Sequence, residues 1–197
     1  MHMTANRIKA IALSHFARFG YEGTSLANIA QDVGIKKPSI YAHFKGKEEL
    51  YFTCLEEALQ KDIQYFQQYT AQIEQASFAD ILLNLLTGYA HRFQESEEAM
   101  FWLRTSYFPP DAFREQIVIK ANNHIEHIGQ LLFPLFEQAN EEGLLQNIET
   151  RDALEAYLCL LDGLMVELLY AGFDRFEVRL AASWKVFWRG LSHSNIL

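Results

Sequence analysis

One stretch of this 197-residue chain, TSLANIAQDVGIKKPSIYAHFKGKE at positions 24–48, constrains the fold more than any other feature. Its first part carries apolar residues at spacings of three and four, which predicts a short amphipathic helix with one buried face. Thr24 or Ser25 stands before this helix and supplies the side-chain oxygen that caps it. Gly34 ends the helix, because glycine adopts the left-handed conformation of a helix stop at low cost.

The second helix of this pattern is short and begins beside basic residues. Pro38 suits the first helical position, because its φ is fixed and its missing N–H has no helical partner there. Lys36 and Lys37 therefore stand at the start of the helix. The predicted helix includes Ser39, Tyr41 and His43, and Ile40 and Phe44 anchor it to a core. Two short helices around a glycine turn predict a helix-turn-helix of the type that reads DNA.

The residues around this motif resemble the N-terminal domain of the TetR family of bacterial transcriptional regulators. The matching positions are Gly23-Thr24, Ile29-Ala30, Val33-Gly34-Ile35, the run from Pro38 to Lys45, and Lys47-Glu48-Glu49-Leu50. The resemblance is specific over residues 5–51, and beyond them only the general plan of an all-helical second domain is comparable. It implies a sequence-specific DNA-binding transcriptional regulator, a ligand-released repressor that acts as a homodimer on a near-palindromic operator.

The resemblance also implies which residues contact double-stranded DNA. The positions that hold the phosphate backbone in the family are occupied here by Thr24, Ser25, Tyr41, His43, Lys45 and Lys47. The positions that reach base edges are occupied by Lys36, Lys37, Pro38 and Ser39.

The distribution of charge agrees with a DNA-binding end on an acidic protein. The whole chain has a net charge of −8, which by itself argues against nucleic acid. Residues 1–50 carry seven basic and four acidic residues, for a net charge of +3. Residues 51–197 carry ten basic and 21 acidic residues, for a net charge of −11. The basic end therefore faces phosphates, and the acidic remainder helps to orient it.

The rest of the chain reads as helix, so the predicted fold is all-α with about nine helices. A three-helix DNA-binding domain is expected at residues 1–46, and a helical ligand-binding and dimerisation domain at residues 47–197. A long helix from Lys47 to about Tyr69 joins the two and is the expected lever of control. Pro134 predicts a kink or break in the helix that runs from Asp111 to Gly143.

The second domain carries 22 of the 27 aromatic residues, which predicts an apolar pocket for an unknown small apolar or aromatic effector. The candidate ligand-binding residues are His91, Phe101, Trp102, Tyr107, Phe108, Asn123, His124, His127, Asp162 and Glu167. The three histidines lack a cysteine or carboxylate at a recognisable ligand spacing, so neither a metal nor a cofactor is predicted.

The last two helices, predicted at residues 150–171 and from Asp174 to about Ser192, are apolar on almost every side. A helix of this kind needs cover on two faces, which favours a four-helix bundle with the same pair of a second subunit, as in TetR-family dimers. The expected interface residues are Leu161, Leu164, Met165, Leu168, Leu180, Trp184 and Trp188. The alternative is that these helices are buried within one subunit.

Other functional classes receive less support. An enzyme with an acid–base site, or a helical small-molecule-binding protein, is the main alternative, but no nucleophile elbow, phosphate loop or His-Glu-x-x-His motif occurs. No apolar run of membrane-spanning length is present, and Cys54 and Cys159 read as buried small hydrophobes without a disulfide framework. A cytoplasmic protein with no membrane partner is therefore expected.

Overall fold

Nine α-helices account for most of the chain in the computed structural model, which describes residues 2–71, 76–145 and 148–191. They are α1 (His2–Phe19), α2 (Leu26–Val33), α3 (Lys37–Ile40), α4 (Lys47–Ala71), α5 (Phe78–Glu95), α6 (Glu97–Tyr107), α7 (Arg114–Glu141), α8 (Thr150–Ala171) and α9 (Phe173–Leu191). No strand occurs in these described ranges, which confirms the all-α prediction.

Local signals explain several helix ends. Ser77 and Ser96 cap α5 and α6, since their hydroxyl oxygens accept the N–H groups of Asp80 and Ala99 at 3.2 Å in each case. Gly143 follows α7 with a φ of +73°, and the N–H of the next residue returns to the carbonyl of Ala139.

Two predictions concern the segment around α7. Pro134 lies inside α7, which continues from Arg114 to Glu141, so the alternative of a break is wrong and the kink stays a prediction. The proline and Gln130 both line an open groove. The predicted start of this helix at Asp111 is wrong, because Asp111 belongs to a 3₁₀ turn, Asp111–Phe113, where its carboxylate accepts a hydrogen bond from Arg114 at 2.8 Å.

The chain divides into two compact units that differ from a simple N-terminal and C-terminal split. The first unit comprises Met1–Asp62 and Phe93–Ala121, and the second comprises Ile63–Arg92 and Asn122–Leu197. Both α4 and α7 therefore contribute residues to each unit. The predicted boundary between a DNA-binding domain at residues 1–46 and a regulatory domain at residues 47–197 concerns function, and it stays a prediction.

An aromatic cluster holds the first unit together. The rings of Phe16 and Phe101 lie edge-on to that of Tyr51, with centroid distances of 5.0 and 5.3 Å. Tyr51 and Phe101 are both buried, and the hydroxyl of Tyr51 lies 3.2 Å from that of Thr105. Residues from α1, α4 and α6 thus share one core, and buried aromatic pairs of this geometry stabilise it beyond their area.

Polar contacts fasten α6 to the end of α1. The Arg104 guanidinium donates to the carbonyl oxygens of Ala17 and Arg18 at 2.7 and 3.1 Å. At the other end of α6, the Glu97 carboxylate accepts hydrogen bonds from Ser14 and Arg18 at 2.9 and 2.8 Å. The carbonyls at the end of α1 have no partner within that helix, so Arg104 satisfies them and fixes the register of α6.

The second unit has its own core. Phe136 contacts the rings of Phe78 and Tyr157 at centroid distances of 5.1 and 5.8 Å, and the Tyr157 hydroxyl donates to the carbonyl of Leu82 at 2.8 Å. Burial raises the pKa of Tyr157 well above its usual value, so this hydroxyl keeps its proton.

The two cysteines differ in environment. Cys54 is buried in the first unit, and burial raises the pKa of its thiol to about 12, which leaves it protonated and unreactive. Cys159 is exposed on α8, so the prediction that both cysteines are buried is wrong for this residue. It falls on the outer side of the helix, where the apolar sequence pattern alone does not distinguish core from surface.

Candidate nucleic-acid interface

Backbone geometry fixes the start and end of α2. The Ser25 hydroxyl accepts the N–H of Asn28 at 3.1 Å, so Ser25 and not Thr24 is the cap. Gly34 has a φ of +79°, and the N–H of Ile35 returns to the carbonyl of Ala30 at 2.9 Å, which is the predicted glycine stop.

Ser25→Ala is expected to lower the free energy of unfolding by about 1 kcal/mol, because the N–H of Asn28 loses its capping oxygen. Urea denaturation followed by circular dichroism measures this change. Ser39→Ala, which replaces an exposed serine at a site without a capping role, serves as the matched control and should change stability by less than about 0.5 kcal/mol. Equal losses for the two variants would contradict the capping assignment.

The second helix of the motif is shorter than predicted. It comprises only Lys37–Ile40, so the prediction that Tyr41 and His43 are helical is wrong. The N–H of His43 bonds to the carbonyl of Ile40, three residues back, at 2.9 Å, and this tighter turn ends the α-helical pattern. Ile40 and Phe44 are buried as expected and anchor the segment from both sides of the turn.

Most of the predicted DNA-binding residues share one exposed surface, which we call the basic face. It consists of Lys36, Lys37, Pro38, Ser39, Tyr41 and Lys45. Lys36 precedes α3, the other five belong to α3 or to the segment that follows it, and all six are exposed to solvent. Three lysines with a tyrosine hydroxyl and a serine hydroxyl among them form a surface that suits both phosphate and base contacts. Ser25 is also exposed, and His43 is half-buried.

Two predicted phosphate contacts are instead engaged inside the protein. Thr24 is buried, and its hydroxyl donates to the carbonyl of Gly20 at 2.7 Å. The half-buried Lys47 ammonium donates to the carbonyls of Tyr21 and Thr24 at 2.8 and 3.0 Å. The hydrogen-bond acceptors in both cases are backbone carbonyls, so no pattern of side chains in the sequence predicts these hydrogen bonds.

The candidate effector residues are divided between the two units. Phe101 and Trp102 belong to the core of the first unit, where Phe101 is only 1% exposed. Tyr107 is half-buried and Phe108 is 50% exposed in the same unit. The structure therefore places Phe101 and Trp102 in helix packing, which the aromatic content of the sequence could not distinguish from pocket lining.

The remaining candidates lie in the second unit. His91 is exposed with its ring 4.9 Å from that of Phe173, Asn123 is exposed, His127 is half-buried and His124 is buried. The Glu167 carboxylate forms ion pairs with Arg175 and Arg179, with N···O distances of 3.5 and 3.2 Å. Across the described part of the chain, no three His, Cys, Asp or Glu side chains are grouped so that they could hold a metal ion.

A groove of about 640 Å³ lies between α7 and α8 in the second unit. Its apolar lining includes Ile125, Phe133, Leu154 and Leu158, and Asp162 is the single predicted effector residue that borders it. The volume is within the range of about 300–1,000 Å³ typical of small-molecule sites. Sequence periodicity did not single out this groove, because polar residues such as Glu126, Gln130 and Glu155 lie between the apolar residues of its lining.

The predicted interface residues of α8 and α9 are mostly internal to one subunit. Leu161, Leu164, Met165, Leu168, Leu180 and Trp188 are buried, and Trp184 is half-buried against the ring of Trp188 at 5.6 Å. The two helices pack on each other through this apolar side. These side chains are therefore buried within one subunit, as in the alternative to a dimer interface.

A different set of apolar side chains remains exposed on the same two helices. Tyr170 on α8 is 71% exposed, and Val178 and Val186 on α9 are 60% and 76% exposed. Exposed small residues accompany them in rows with helical spacing, Ala156 and Gly163 on α8 and Ala182 on α9. We call these six residues the α8–α9 face. The spacing of small residues was the sequence signal that could have identified it.

No helix within the described ranges is long and apolar enough to cross a membrane. This finding concerns residues 2–71, 76–145 and 148–191 alone.

Comparison with known proteins places these features in context. Residues 8–54 match the family described as bacterial regulatory proteins, tetR family. The IcaR negative transcriptional regulator of the icaADBC biofilm operon from Staphylococcus epidermidis is 44% identical over 45 residues, which are 23% of this chain and 24% of that regulator. The matched segment thus spans far less than two thirds of that relative.

Two further proteins are similar along nearly the whole chain. The uncharacterized HTH-type transcriptional regulator YvkB from Bacillus subtilis is 23% identical over 197 residues, which cover 98% of this chain and 99% of YvkB. The transcriptional regulator FadR from Bacillus subtilis, solved in complex with stearoyl-CoA, has a TM-score of 0.69 and 14% identity, with 94% and 98% of the two chains covered. Each of the three proteins is named as a transcriptional regulator, in agreement with the expectation that this chain is not an enzyme.

Proposed function

We propose that this chain, which belongs to the TetR family of bacterial regulatory proteins, is a homodimeric repressor that a small-molecule effector releases from a near-palindromic operator. The observation that carries the proposal is the basic face, because it presents three exposed lysines on a segment anchored by the buried Ile40 and Phe44. A protein that binds bacterial operator DNA acts in the cytoplasm.

Affinity and sequence choice are assigned to different parts of the basic face. Lys36 and Lys37 precede and begin α3, where side chains at the start of a recognition helix reach base edges in the major groove. Lysine donates to the O6 and N7 atoms of guanine, and Pro38 offers an apolar contact to a thymine methyl group. Lys45 and Tyr41 flank α3 and are assigned to phosphates, which fix the register of the protein.

The α8–α9 face supports a homodimer. Exposed apolar patches on a folded protein mark interaction surfaces, and Tyr170, Val178 and Val186 are highly exposed. The small residues Gly163 and Ala182 permit close approach of a second helix pair. An isologous dimer of this kind places two α3 helices on one side of the duplex, in successive major grooves roughly 34–36 Å apart.

The groove between α7 and α8 is the proposed effector site. Its apolar lining fits a small apolar or aromatic compound, and Asp162 supplies a polar group at its border. FadR, a structural relative, was solved with stearoyl-CoA, a compound with a long apolar chain. In the proposed site, the apolar portion of the effector contacts the side chains of Phe133 and Leu158.

Control of DNA binding requires that the effector bind more tightly to the conformation that does not fit the operator. Helices α4 and α7 each contribute residues to both compact units, so a displacement of either helix would involve residues of both. The predicted lever of control, α4, is therefore extended to this pair of helices.

Selection of bound sequences from random duplex DNA, followed by affinity measurement, tests the proposal. We expect a near-palindromic consensus, and Lys37→Ala is expected to relax the choice at one base position per half-site at a cost of about 1–3 kcal/mol. Lys185→Ala removes an exposed lysine of α9 and is the matched control that should bind like the parent. Recovery of no consensus, or identical specificity in the two variants, would contradict the assignment.

Release by an effector is tested by adding candidate compounds to the same binding assay.

A further inference from the structure

Lys47, the first residue of α4, directs its ammonium group into the protein. Its Nζ atom donates to the carbonyl oxygens of Tyr21 and Thr24 at 2.8 and 3.0 Å, and lies 4.0 Å from the centroid of the Tyr21 ring. All three contacts are made with the segment Gly20–Ser25, which we call the α1–α2 corner. An ammonium group has three donors, and the corner occupies two of them while the ring faces its positive charge.

The α1–α2 corner has little freedom apart from these contacts. Gly20 has a φ of +71°, and a Cβ atom added at Gly23 would lie 2.4 Å from the carbonyl oxygen of Phe19. The buried Thr24 hydroxyl closes the corner from the inside by donating to the carbonyl of Gly20 at 2.7 Å. Lys47 links the corner to the start of α4 through two hydrogen bonds, which the positive charge of its ammonium group strengthens.

We propose that Lys47 is a positioning residue, whose ammonium holds the α1–α2 corner, and with it the capped first turn of α2, in the conformation that meets DNA. It does not act as a phosphate ligand. The proposal rests on the DNA-binding function proposed above. Phosphate contacts are then left to lysines of the basic face, which are exposed to solvent.

The contrast with Lys45 makes this assignment specific. Lys45 and Lys47 are separated by one residue and carry the same charge, but Lys45 is exposed while Lys47 is half-buried. To reach a phosphate, Lys47 would leave two carbonyl oxygens of the corner without its donors. Because Lys47 also begins α4, a displacement of the first turn of that helix is transmitted directly to the corner.

The salt dependence of DNA binding separates the two roles. Each lost phosphate contact reduces the slope of log affinity against log salt concentration by about 0.9 per site, whereas loss of a positioning contact leaves it unchanged. In full-length protein, at a temperature where all variants are folded, Lys45→Met should flatten this slope. Lys47→Met should weaken operator binding at least about fivefold with the parental slope. In the absence of DNA, amide hydrogen exchange at residues 21–25 should accelerate in Lys47→Met and not in Lys45→Met.

Competitive acetylation of lysines in the unmodified protein, with and without operator DNA, provides a measurement that needs no variant. Lys47 should react more slowly than Lys45 in the free protein, and DNA should protect Lys45 while leaving the rate at Lys47 unchanged. A flattened slope in Lys47→Met with unaltered corner exchange, or equal protection of both lysines by DNA, overturns the proposal. If the parent binds no operator, the proposed function fails, while slow acetylation of Lys47 and corner exchange still report on the contact itself.

Discussion

Val186→Glu is expected to leave the subunit folded, to convert a dimer into monomers, and to weaken operator binding roughly 100-fold or more. Val186 is 76% exposed on α9, so the substitution removes no buried contact within the subunit. In the proposed dimer it would place a charge on the α8–α9 face without a partner, which is costly in a buried apolar interface. A monomer can occupy one half-site only, and the contribution of the second half-site is lost. Sedimentation and DNA-binding measurements on the same preparation test both effects.

The matched control for this substitution is Ile119→Glu. Ile119 is an exposed apolar residue of α7 in the first unit, and it does not belong to the α8–α9 face. This variant should keep the oligomeric state of the parent. A Val186→Glu protein that sediments like the parent would exclude the α8–α9 face as the dimer interface.

Phe101→Ala is expected to lower the free energy of unfolding by about 3–5 kcal/mol, because it opens a cavity in the aromatic cluster of the first unit. Phe101 lies in α6, more than forty residues beyond the helix-turn-helix motif, but its ring contacts Phe16 of α1 and Tyr51 of α4. DNA binding should therefore be lost at temperatures where the parent still binds. Urea denaturation and DNA binding at increasing temperature measure the two effects.

Phe108→Ala is the control for this prediction. Phe108 is an aromatic residue of the same segment, but it is 50% exposed, so its truncation should cost less than about 1 kcal/mol. A small effect of Phe101→Ala on stability, accompanied by loss of effector response, would support the sequence-based prediction that Phe101 lines a ligand pocket.

Local signals in the sequence predicted the start and end of α2 and the position of α3. Ser25 and Gly34 act through contacts within a few residues of themselves, so their roles follow from residue type and spacing. The length of α3 did not follow, because α3 ends in a tighter turn at Ile40 between two buried residues, Ile40 and Phe44, and burial is not a local property of the sequence. Tyr41 and His43 accordingly fall outside the helix.

Two features could not be predicted from the sequence: side-chain contacts with backbone atoms, and which apolar residues lie in the core or on the surface. The hydrogen-bond acceptors of Lys47 are carbonyl oxygens, which every residue carries, so no pattern of side chains reveals them. In α8, apolar residues occupy nearly every side of the helix, and periodicity cannot assign Leu161 to the subunit core and Tyr170 to the surface. The same limit applied to Phe101, whose burial depends on residues distant in the sequence.

Burial of Leu161, Leu164 and Met165 within a single subunit has a consequence for gene dosage. A subunit with a complete core of its own does not need a partner in order to fold, so assembly of the proposed dimer is governed by how much protein the cell contains. At low expression, operator occupancy would then rise more steeply than protein concentration. In that range, halving the supply of the regulator would lower operator occupancy by more than half, so the rate of its own synthesis would be a second means of control alongside the proposed effector.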